Sequence, residues 1–252
     1  MHAIIMAGGQ GTRLRSVTDE IPKSLVRLGD HPIIEIIVRR LRASGFRRVT
    51  LCVSHLGEMI EAALGEGGRL GVAIDYCWDT EELGTAAPLL RVPRWNEPAL
   101  VMNCDILTSA DLTEMFSAHV RSGSLLTLAA RRIQIPVSFG VLDLDEGGRV
   151  AGIREKPQLS VEVSAGIQVV DPGVRAWMSA GVAMDMPELI LALIKQRCQV
   201  RAHPLSASWH DIGTPASYRT AAEAFARSPD EFLRPRPAPL ARPRIAQPAL
   251  DA

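Results

Sequence analysis

The sequence has no excess of charge of either sign. Its 252 residues include 28 lysines and arginines and 28 aspartates and glutamates, so its formal net charge at pH 7 is zero. A balanced chain has no overall attraction for nucleic acid or for an anionic membrane surface. We therefore expect neither as a partner, and any affinity for phosphate groups has to come from a local site.

Cysteine is scarce, and no apolar run is long. The four cysteines show no Cys-x-x-Cys spacing, and three of them fall in strand-like apolar runs. This pattern predicts reduced thiols in the core and argues against a zinc site. No cationic start leads into an apolar segment, and no apolar run approaches the length of a membrane span. We therefore expect a cytoplasmic protein without a membrane partner.

Strand-like and helix-like segments alternate in the first third of the chain. Residues 2–7, 47–54 and 72–77 resemble strands, whereas apolar residues recur at helical spacing in 32–45 and 56–64. This β-α-β-α-β order predicts an α/β protein with a mostly parallel sheet. An apolar share of 47% over 252 residues is enough for one large domain.

The rest of the chain continues in the same manner. A wholly apolar and therefore central strand is expected at 98–102. We further expect a helix start at 81–87, helices at 111–122, 187–198 and 215–226, strands at 124–131, 161–170 and 200–205, and a hairpin around 145–148. Residues 227–252 are rich in proline and arginine and predict a disordered tail, so the domain is expected to cover 1–226.

Three glycines and two basic residues follow the first predicted strand. Gly8, Gly9 and Gly11 can form a tight loop whose backbone N–H groups face an anion. Arg13 and Lys23 would add positive charge. Glycines after a strand can also simply make a turn. The loop lacks the third glycine of the Rossmann fingerprint and the Gly-Lys-Ser/Thr of the Walker motif, so phosphate binding here would be of another kind.

Polar residues follow other predicted strands. Asp105 comes directly after a buried strand, and there we favour a functional role over the capping of a turn. Glu155 and Lys156, taken alone, indicate a solvated strand edge. Gly166 interrupts a strand and lets another group approach the backbone closely. His210 is interpreted as a packed or exposed residue rather than a ligand.

The order of the short motifs is more specific than any one of them. They are Gly-Gly-x-Gly-Thr-Arg-Leu, Pro-Lys-Ser-Leu, Leu-Gly-Thr-Ala, Asn-Cys-Asp, Phe-Gly-Val, Glu-Lys-Pro, Ser-Ala-Gly and Trp-His-Asp-Ile-Gly. This succession resembles the sugar-1-phosphate nucleotidyltransferases over about residues 1–226. The resemblance implies a Rossmann-like α/β fold, in which helices flank a mostly parallel central sheet and a small antiparallel sheet lies on the substrate side.

The resemblance also implies a reaction and a role for each matching residue. A nucleoside monophosphate would pass from a nucleoside triphosphate to a sugar 1-phosphate, with release of pyrophosphate. Arg13 and Lys23 would be catalytic, and Asp105 and Asp211 would hold Mg²⁺. The implied nucleotide-binding residues are Ala7, Gly8, Gly9, Gly11, Thr12, Gly84, Thr85 and Asn103. The implied sugar-phosphate residues are Gly140, Glu155, Lys156, Ser164 and Gly166, which reverses the solvated-edge interpretation of Glu155 and Lys156.

Some positions depart from the family pattern, and some questions stay open. Ser164 stands where many members have asparagine, Ala87 where glycine is usual, and Cys104 where glycine is common. The Leu-Gly-Thr-Ala-x-Pro-Leu and Trp-x-Asp-Ile-Gly motifs resemble those of the guanylyltransferases more than those of the thymidylyltransferases. This resemblance implies GTP as the nucleotide, and uridylyl, thymidylyl and cytidylyl transfer are the alternatives. Two further alternatives are a catalytically silent binding module and an oxidoreductase with an unusual glycine loop. We expect no C-terminal β-helix, and a homodimer is one assembly that the family allows.

Overall fold

The computed structural model describes residues 1–9, 21–54, 56–79, 81 and 83–233, and its strands and helices are numbered in chain order. The strands are β1 His2–Met6, β2 Arg27–Leu28, β3 His31–Pro32, β4 Arg48–Val53, β5 Ala73–Trp78, β6 Ala99–Asn103, β7 Ile106–Thr108, β8 Leu126–Pro136, β9 Val141–Leu144, β10 Val150–Arg154, β11 Gln158–Val170, β12 Val200–Pro204 and β13 Trp209–Asp211. The α-helices are α1 Ile33–Ala43, α2 Gly57–Leu64, α3 Leu112–Ser122, α4 Met186–Lys195, α5 Pro215–Arg227 and α6 Pro229–Leu233.

A seven-stranded mixed sheet forms the centre of the fold. Its strand order is β12-β8-β11-β6-β1-β4-β5. Strand β1 pairs in parallel with β4 and β6, β5 is parallel to β4, and β12 is parallel to β8. Only β11 runs against its neighbours, since it is antiparallel to both β6 and β8. The mostly parallel sheet expected from the sequence is therefore confirmed, and the ends of β1, β4 and β6 meet at one edge.

Apolar spacing explains the elements that flank β1. In α1, Ile33, Ile34 and Leu41 are fully buried against the sheet. Burial of each such side chain stabilises the folded protein by about 1.5–3 kcal/mol. Gly45, at φ +84°, ends this helix in a conformation that glycine adopts without strain. Pro32 occupies the N-cap position of α1 and is not its first helical residue, because residues 27–28 and 31–32 pair as a short antiparallel ladder.

Two segments match their predictions closely. The hairpin around 145–148 joins β9 to β10, and the Asp145 carboxylate accepts hydrogen bonds from the N–H groups of Gly147 and Arg149 at 2.9 Å. Strand β11 is irregular between Ser164 and Gln168, where its register against β8 shifts. This irregularity lies at the predicted interruption of the strand.

The expected helix start at 81–87 is wrong. Gly84 has φ +89°, which an α-helix cannot accommodate, and the chain turns there before a short 3₁₀-helix, Ala87–Arg91. The described parts of the chain contain no helix that is both long and apolar enough to cross a membrane.

The packed domain continues beyond residue 226. Helix α6 buries Phe232, which is 1% exposed and packs against Phe225 in a tilted arrangement with 6.0 Å between ring centroids. The Glu231 carboxylate accepts hydrogen bonds from the hydroxyls of Ser109 and Ser208 at 2.9 and 2.8 Å. The predicted tail therefore begins too early, because 229–233 is a packed helix, and 234–252 lies outside the described residues.

Candidate functional site

The glycine loop starts at the carboxyl edge of the sheet, between the ends of β4 and β6. The N–H of Ala7 donates to the carbonyl of Cys52 at 2.8 Å. The Ser54 hydroxyl, at the end of β4, donates to the carbonyl of Gly8 at 2.6 Å. A side chain on Gly8 would place its Cβ 3.1 Å from this hydroxyl. Ser54 thus fixes the start of the loop, a contact that the sequence analysis missed.

Part of the predicted loop cannot be placed. Gly9 follows Gly8, and a Cβ there would meet none of the described atoms within 4 Å. Gly11, Thr12 and Arg13 lie outside the described residues, so their predicted roles stay predictions.

Lys23 and Asp105 form an ion pair next to this loop. Lys23 begins a 3₁₀-helix, Lys23–Leu25, and its Nζ donates to Asp105 Oδ2 at 2.6 Å. Their side chains are only 10% and 18% exposed. Because water screens such a pair little, the ammonium group is firmly held at the sheet edge.

The second carboxylate oxygen of Asp105 is an open acceptor. Its Oδ1 is buried and has no hydrogen-bond partner among the described residues. A buried carboxylate oxygen left without a donor or cation is costly, so this atom marks a place for a ligand.

Asp211 comes to the same place through a short ladder. Strand β13 pairs antiparallel with β7, with Asp211 opposite Ile106. The N–H of Ile212 donates to the carbonyl of Asp105 at 2.9 Å. The backbones of the two aspartates therefore lie side by side, although they are far apart in sequence. The described residues contain no group of three or more His, Cys, Asp and Glu that could hold a metal ion.

Burial shifts the pKa values of two residues next to Asp105 and Asp211, namely Cys104 and His210. Burial, with help from the neighbouring Asp105 charge, raises the pKa of the Cys104 thiol to about 12. Burial also lowers the pKa of His210, and the Arg131 charge adds to this shift. The His210 ring packs near Phe232, with 6.3 Å between centroids.

Gly84 and Thr85 form a turn that is held by a distant segment. The Asp185 carboxylate accepts hydrogen bonds from the Thr85 N–H at 2.9 Å and from its hydroxyl at 3.1 Å. A Cβ on Gly84 would lie 2.7 Å from the carbonyl oxygen of Met184. No sequence motif pointed to Asp185, which sits just before α4.

The predicted sugar-phosphate residues fall into two groups. In the first, Gly166 (φ +70°) lies against Asn103, so that an added Cβ would be 3.2 Å from Asn103 Nδ2. The Trp209 indole N–H donates to the carbonyl of Ala165 at 2.8 Å and supports this turn. Ser164 lies two residues before Gly166 in the middle of β11, and this first group lies beside the end of β6.

The second group lies before the start of β11, next to the hairpin of β9 and β10. A Cβ on Gly140 would be 3.1 Å from Glu155 Oε2, and Lys156 has φ +44° with its ammonium 3.9 Å from Glu155. Glu155 and Lys156 are about 70% and 69% exposed. The six residue steps from Gln158 to Ser164 separate this group from the first by about 20 Å of strand. The structure thus pairs Gly140 with Glu155 but does not place them beside Asn103.

Comparisons with known proteins agree on one family. A family model described as Nucleotidyl transferase matches residues 2–228. The chain is 30% identical over 238 residues to a UTP–glucose-1-phosphate uridylyltransferase of Synechocystis, which covers 86% of this chain and 61% of that protein. It is 32% identical over 226 residues to a mannose-1-phosphate guanylyltransferase catalytic subunit beta of Drosophila melanogaster. That alignment covers 87% of this chain and 61% of the Drosophila protein.

Solved structures give the same fold. HddC from Yersinia pseudotuberculosis superposes with a TM-score of 0.69 at 25% identity, over 89% of this chain and 99% of HddC. The same protein is known in complex with GMP-PN. A Bacillus anthracis protein described as a glucose-1-phosphate thymidylyltransferase superposes with a TM-score of 0.71 at 23% identity. The superposition covers 90% of this chain and 96% of the Bacillus protein. This chain spans only 61% of the length of the two curated relatives.

Proposed function

The chain belongs to the nucleotidyl transferase family, and on that premise we propose that it transfers a nucleoside monophosphate from a nucleoside triphosphate to a sugar 1-phosphate, releasing pyrophosphate. The observation that carries this proposal is the buried pair of Lys23 and Asp105 beside the start of the glycine loop. It supplies a fixed positive charge and an open carboxylate oxygen where two anionic substrates would meet.

The reaction needs charge neutralisation and alignment more than proton transfer. A phosphate monoester has a second pKa near 6, so the attacking oxygen of a sugar 1-phosphate is already ionised at neutral pH. No general base is then required. The protein has to hold two anions in line and stabilise the charge that develops during transfer.

Lys23 supplies part of that stabilisation. Its ammonium donates to Asp105, and we propose that it also donates to a triphosphate oxygen. Arg13 is proposed to grip the phosphates as well. A charged contact of this kind typically lowers the barrier by a few kcal/mol.

The donor atoms around Asp105 fit Mg²⁺. The carboxylate oxygens of Asp105 and Asp211 are hard ligands, and Mg²⁺ in proteins is commonly bound by one or two carboxylates together with substrate phosphates. The unpartnered Oδ1 of Asp105 is an acceptor of the kind that such an ion requires. When bound, Mg²⁺ would neutralise phosphate charge.

GTP is the proposed donor, and UTP is the alternative. The guanylyltransferase relatives and the GMP-PN complex of HddC favour guanine, whereas the Synechocystis relative favours uracil. Gly84 and Thr85 are proposed to meet the base, Asn103 to belong to the nucleotide site, and Ser164 and Gly166 to bind the sugar phosphate. The group of Gly140, Glu155 and Lys156 lies elsewhere. It could bind the same substrate only if the start of β11 and the β9–β10 hairpin approach the carboxyl ends of the parallel strands.

A screen of substrates tests the proposal. The five common nucleoside triphosphates are each incubated with a panel of sugar 1-phosphates, and pyrophosphate release and product mass are measured with Mg²⁺ and again with excess chelator. We expect one pair to give a nucleoside diphosphate sugar only when the metal is present. No pyrophosphate from any pair, with protein shown to be folded, would contradict the proposal.

A further inference from the structure

Asp185 joins two segments that lie 100 residues apart. Its Oδ1 accepts both the Thr85 N–H at 2.9 Å and the Thr85 hydroxyl at 3.1 Å. The Thr85 hydroxyl oxygen in turn accepts the N–H of Met186 at 2.9 Å. Thr85 is therefore held by its backbone and its side chain to the first residues of α4.

Backbone hydrogen bonds extend this connection on both sides of Thr85. The carbonyl of Leu83 accepts the N–H of Met184 at 2.7 Å. The carbonyl of Met184 accepts the N–H groups of Ala86 and Ala87 at 3.0 and 3.2 Å. Gly84 lies between these bonds at φ +89°, where any side chain would meet Met184. The turn that contains Gly84 and Thr85 is thus shaped by 184–186 rather than by its own sequence.

Capping of α4 does not account for the contact. Asp185 and Glu188 form a capping box, in which the Glu188 carboxylate accepts the Asp185 N–H at 2.7 Å. Serine or asparagine would serve as well as aspartate at that position of a helix. The additional feature is a carboxylate oxygen directed at Thr85, in a different segment of the chain.

We propose that Asp185 is a positioning residue of the nucleotide site, which holds Gly84 and Thr85 in the conformation that meets the base. This inference rests on the proposed function, in which those two residues lie by the base. Nucleotide affinity then depends on the start of α4, because the turn would otherwise have to be ordered when the nucleotide binds.

Two substitutions separate positioning from capping. Both Asp185→Ser and Asp185→Asn keep a good helix cap, so both proteins should fold. Serine also carries an acceptor oxygen, but that oxygen is bonded to Cβ and lies one bond short of the position of Asp185 Oδ1. Asparagine keeps an oxygen at that position, where it can accept from Thr85. The dissociation constants for GTP and UTP are measured by titration calorimetry, and KM and kcat by pyrophosphate release.

We expect Asp185→Ser to weaken binding of the preferred triphosphate and raise its KM about tenfold, with kcat within about threefold of the unmodified protein. For Asp185→Asn, the dissociation constant, KM and kcat should each stay within about threefold of those of the unmodified protein. Asp111→Ser is the matched control, since Asp111 caps α3 by accepting from the Thr113 N–H at 2.9 Å, away from the site. It should change none of them by more than about twofold.

Each outcome bears on the inference. Unchanged nucleotide affinity in Asp185→Ser, or an equal loss in Asp185→Ser and Asp185→Asn, overturns it. An unmodified protein that binds neither triphosphate overturns it as well. An unmodified protein that binds a triphosphate but releases no pyrophosphate contradicts the proposed function alone, and the binding data then decide the role of Asp185.

Discussion

Lys23 and Asp105, which are 82 residues apart in sequence, lie 2.6 Å apart between Nζ and Oδ2 at the carboxyl edge of the sheet. The pair has two effects on the site. It fixes a positive charge close to the glycine loop, and it leaves the buried Oδ1 of Asp105 without a partner among the described residues. Each effect can be tested by a substitution that changes charge with little change in size.

Removal of the Asp105 charge should stop turnover without unfolding the protein. We expect Asp105→Asn to lower kcat at least about a hundredfold, because the neutral amide is a poor metal ligand and no longer balances Lys23. Pyrophosphate release gives the rate, and a thermal melt checks the fold. Asp75→Asn is the control, since Asp75 is ion-paired with Arg48 at 2.9 Å outside the site. Near-normal activity in Asp105→Asn would contradict the assignment.

Removal of the Lys23 charge should have a similar effect. Methionine has nearly the same length but no charge, so Lys23→Met should lower kcat/KM about a hundredfold or more through the loss of a fixed cation. The same assay measures this. Lys195→Met, at an exposed position in the last turn of α4, should leave the rate within about twofold. If both variants behave alike, Lys23 has no special role.

A methyl group on Gly84 should displace the turn that is proposed to read the base. Its Cβ would lie 2.7 Å from the Met184 carbonyl oxygen, at φ +89°. We expect Gly84→Ala to weaken nucleotide binding at least about tenfold in calorimetry. Gly123→Ala is the matched control, because Gly123 also has a positive φ, +61°, but its Cβ would meet nothing within 4 Å. Equal binding by both variants would show that the contact with Met184 does not matter.

Phe232 tests whether α6 belongs to the domain. The side chain is 1% exposed and packs on Phe225, so Phe232→Ala should lower the free energy of unfolding by about 3–5 kcal/mol. Urea denaturation measures this. Leu191→Ala, at a position that is 55% exposed, should cost less than about 0.5 kcal/mol. If Phe232→Ala lowers the free energy of unfolding no more than Leu191→Ala does, α6 adds no stability.

His2 should make stability depend on pH. Burial, with the charge of Arg48, lowers its pKa from 6.5 to about 4, and its Nε2 lies 2.8 Å from the Thr50 hydroxyl. The unfolded chain therefore binds an additional proton between pH 6.5 and 4, and the stability contribution is lost as the pH falls through that window. Allowing for partial exposure, we expect about 1 kcal/mol. In His2→Asn the free energy of unfolding should fall less between pH 7 and 4.5 than in the unmodified protein, and equal falls would contradict this.

The sequence was most informative where local patterns decide structure. The apolar run 98–102 and the helical spacing of apolar residues in 32–45 led to a correct strand and a correct helix, because burial of those side chains determines both elements. The helix expected at 215–226 is likewise found as α5, which Thr214 caps and Pro215 begins, since both residues act within one turn.

The sequence was least informative where contacts cross long distances along the chain. Gly84 was expected in a helix, but the segment 184–186 imposes its turn from 100 residues away. Lys23 and Asp105 were each expected in the site, yet no local pattern could show that they form a pair. Phe232 follows a proline at 229 in a segment that reads as a tail, and only its packing on Phe225 reveals the helix.

The central claim is that a sugar phosphate oxygen attacks the α-phosphorus of a nucleoside triphosphate. A sugar 1-phosphate whose phosphate carries ¹⁸O tests it most directly, with mass analysis of both products under the conditions of the substrate screen. The account predicts that all of the label appears in the nucleoside diphosphate sugar and none in pyrophosphate. Label in pyrophosphate or in free phosphate, or an unlabelled nucleoside diphosphate sugar, would contradict it.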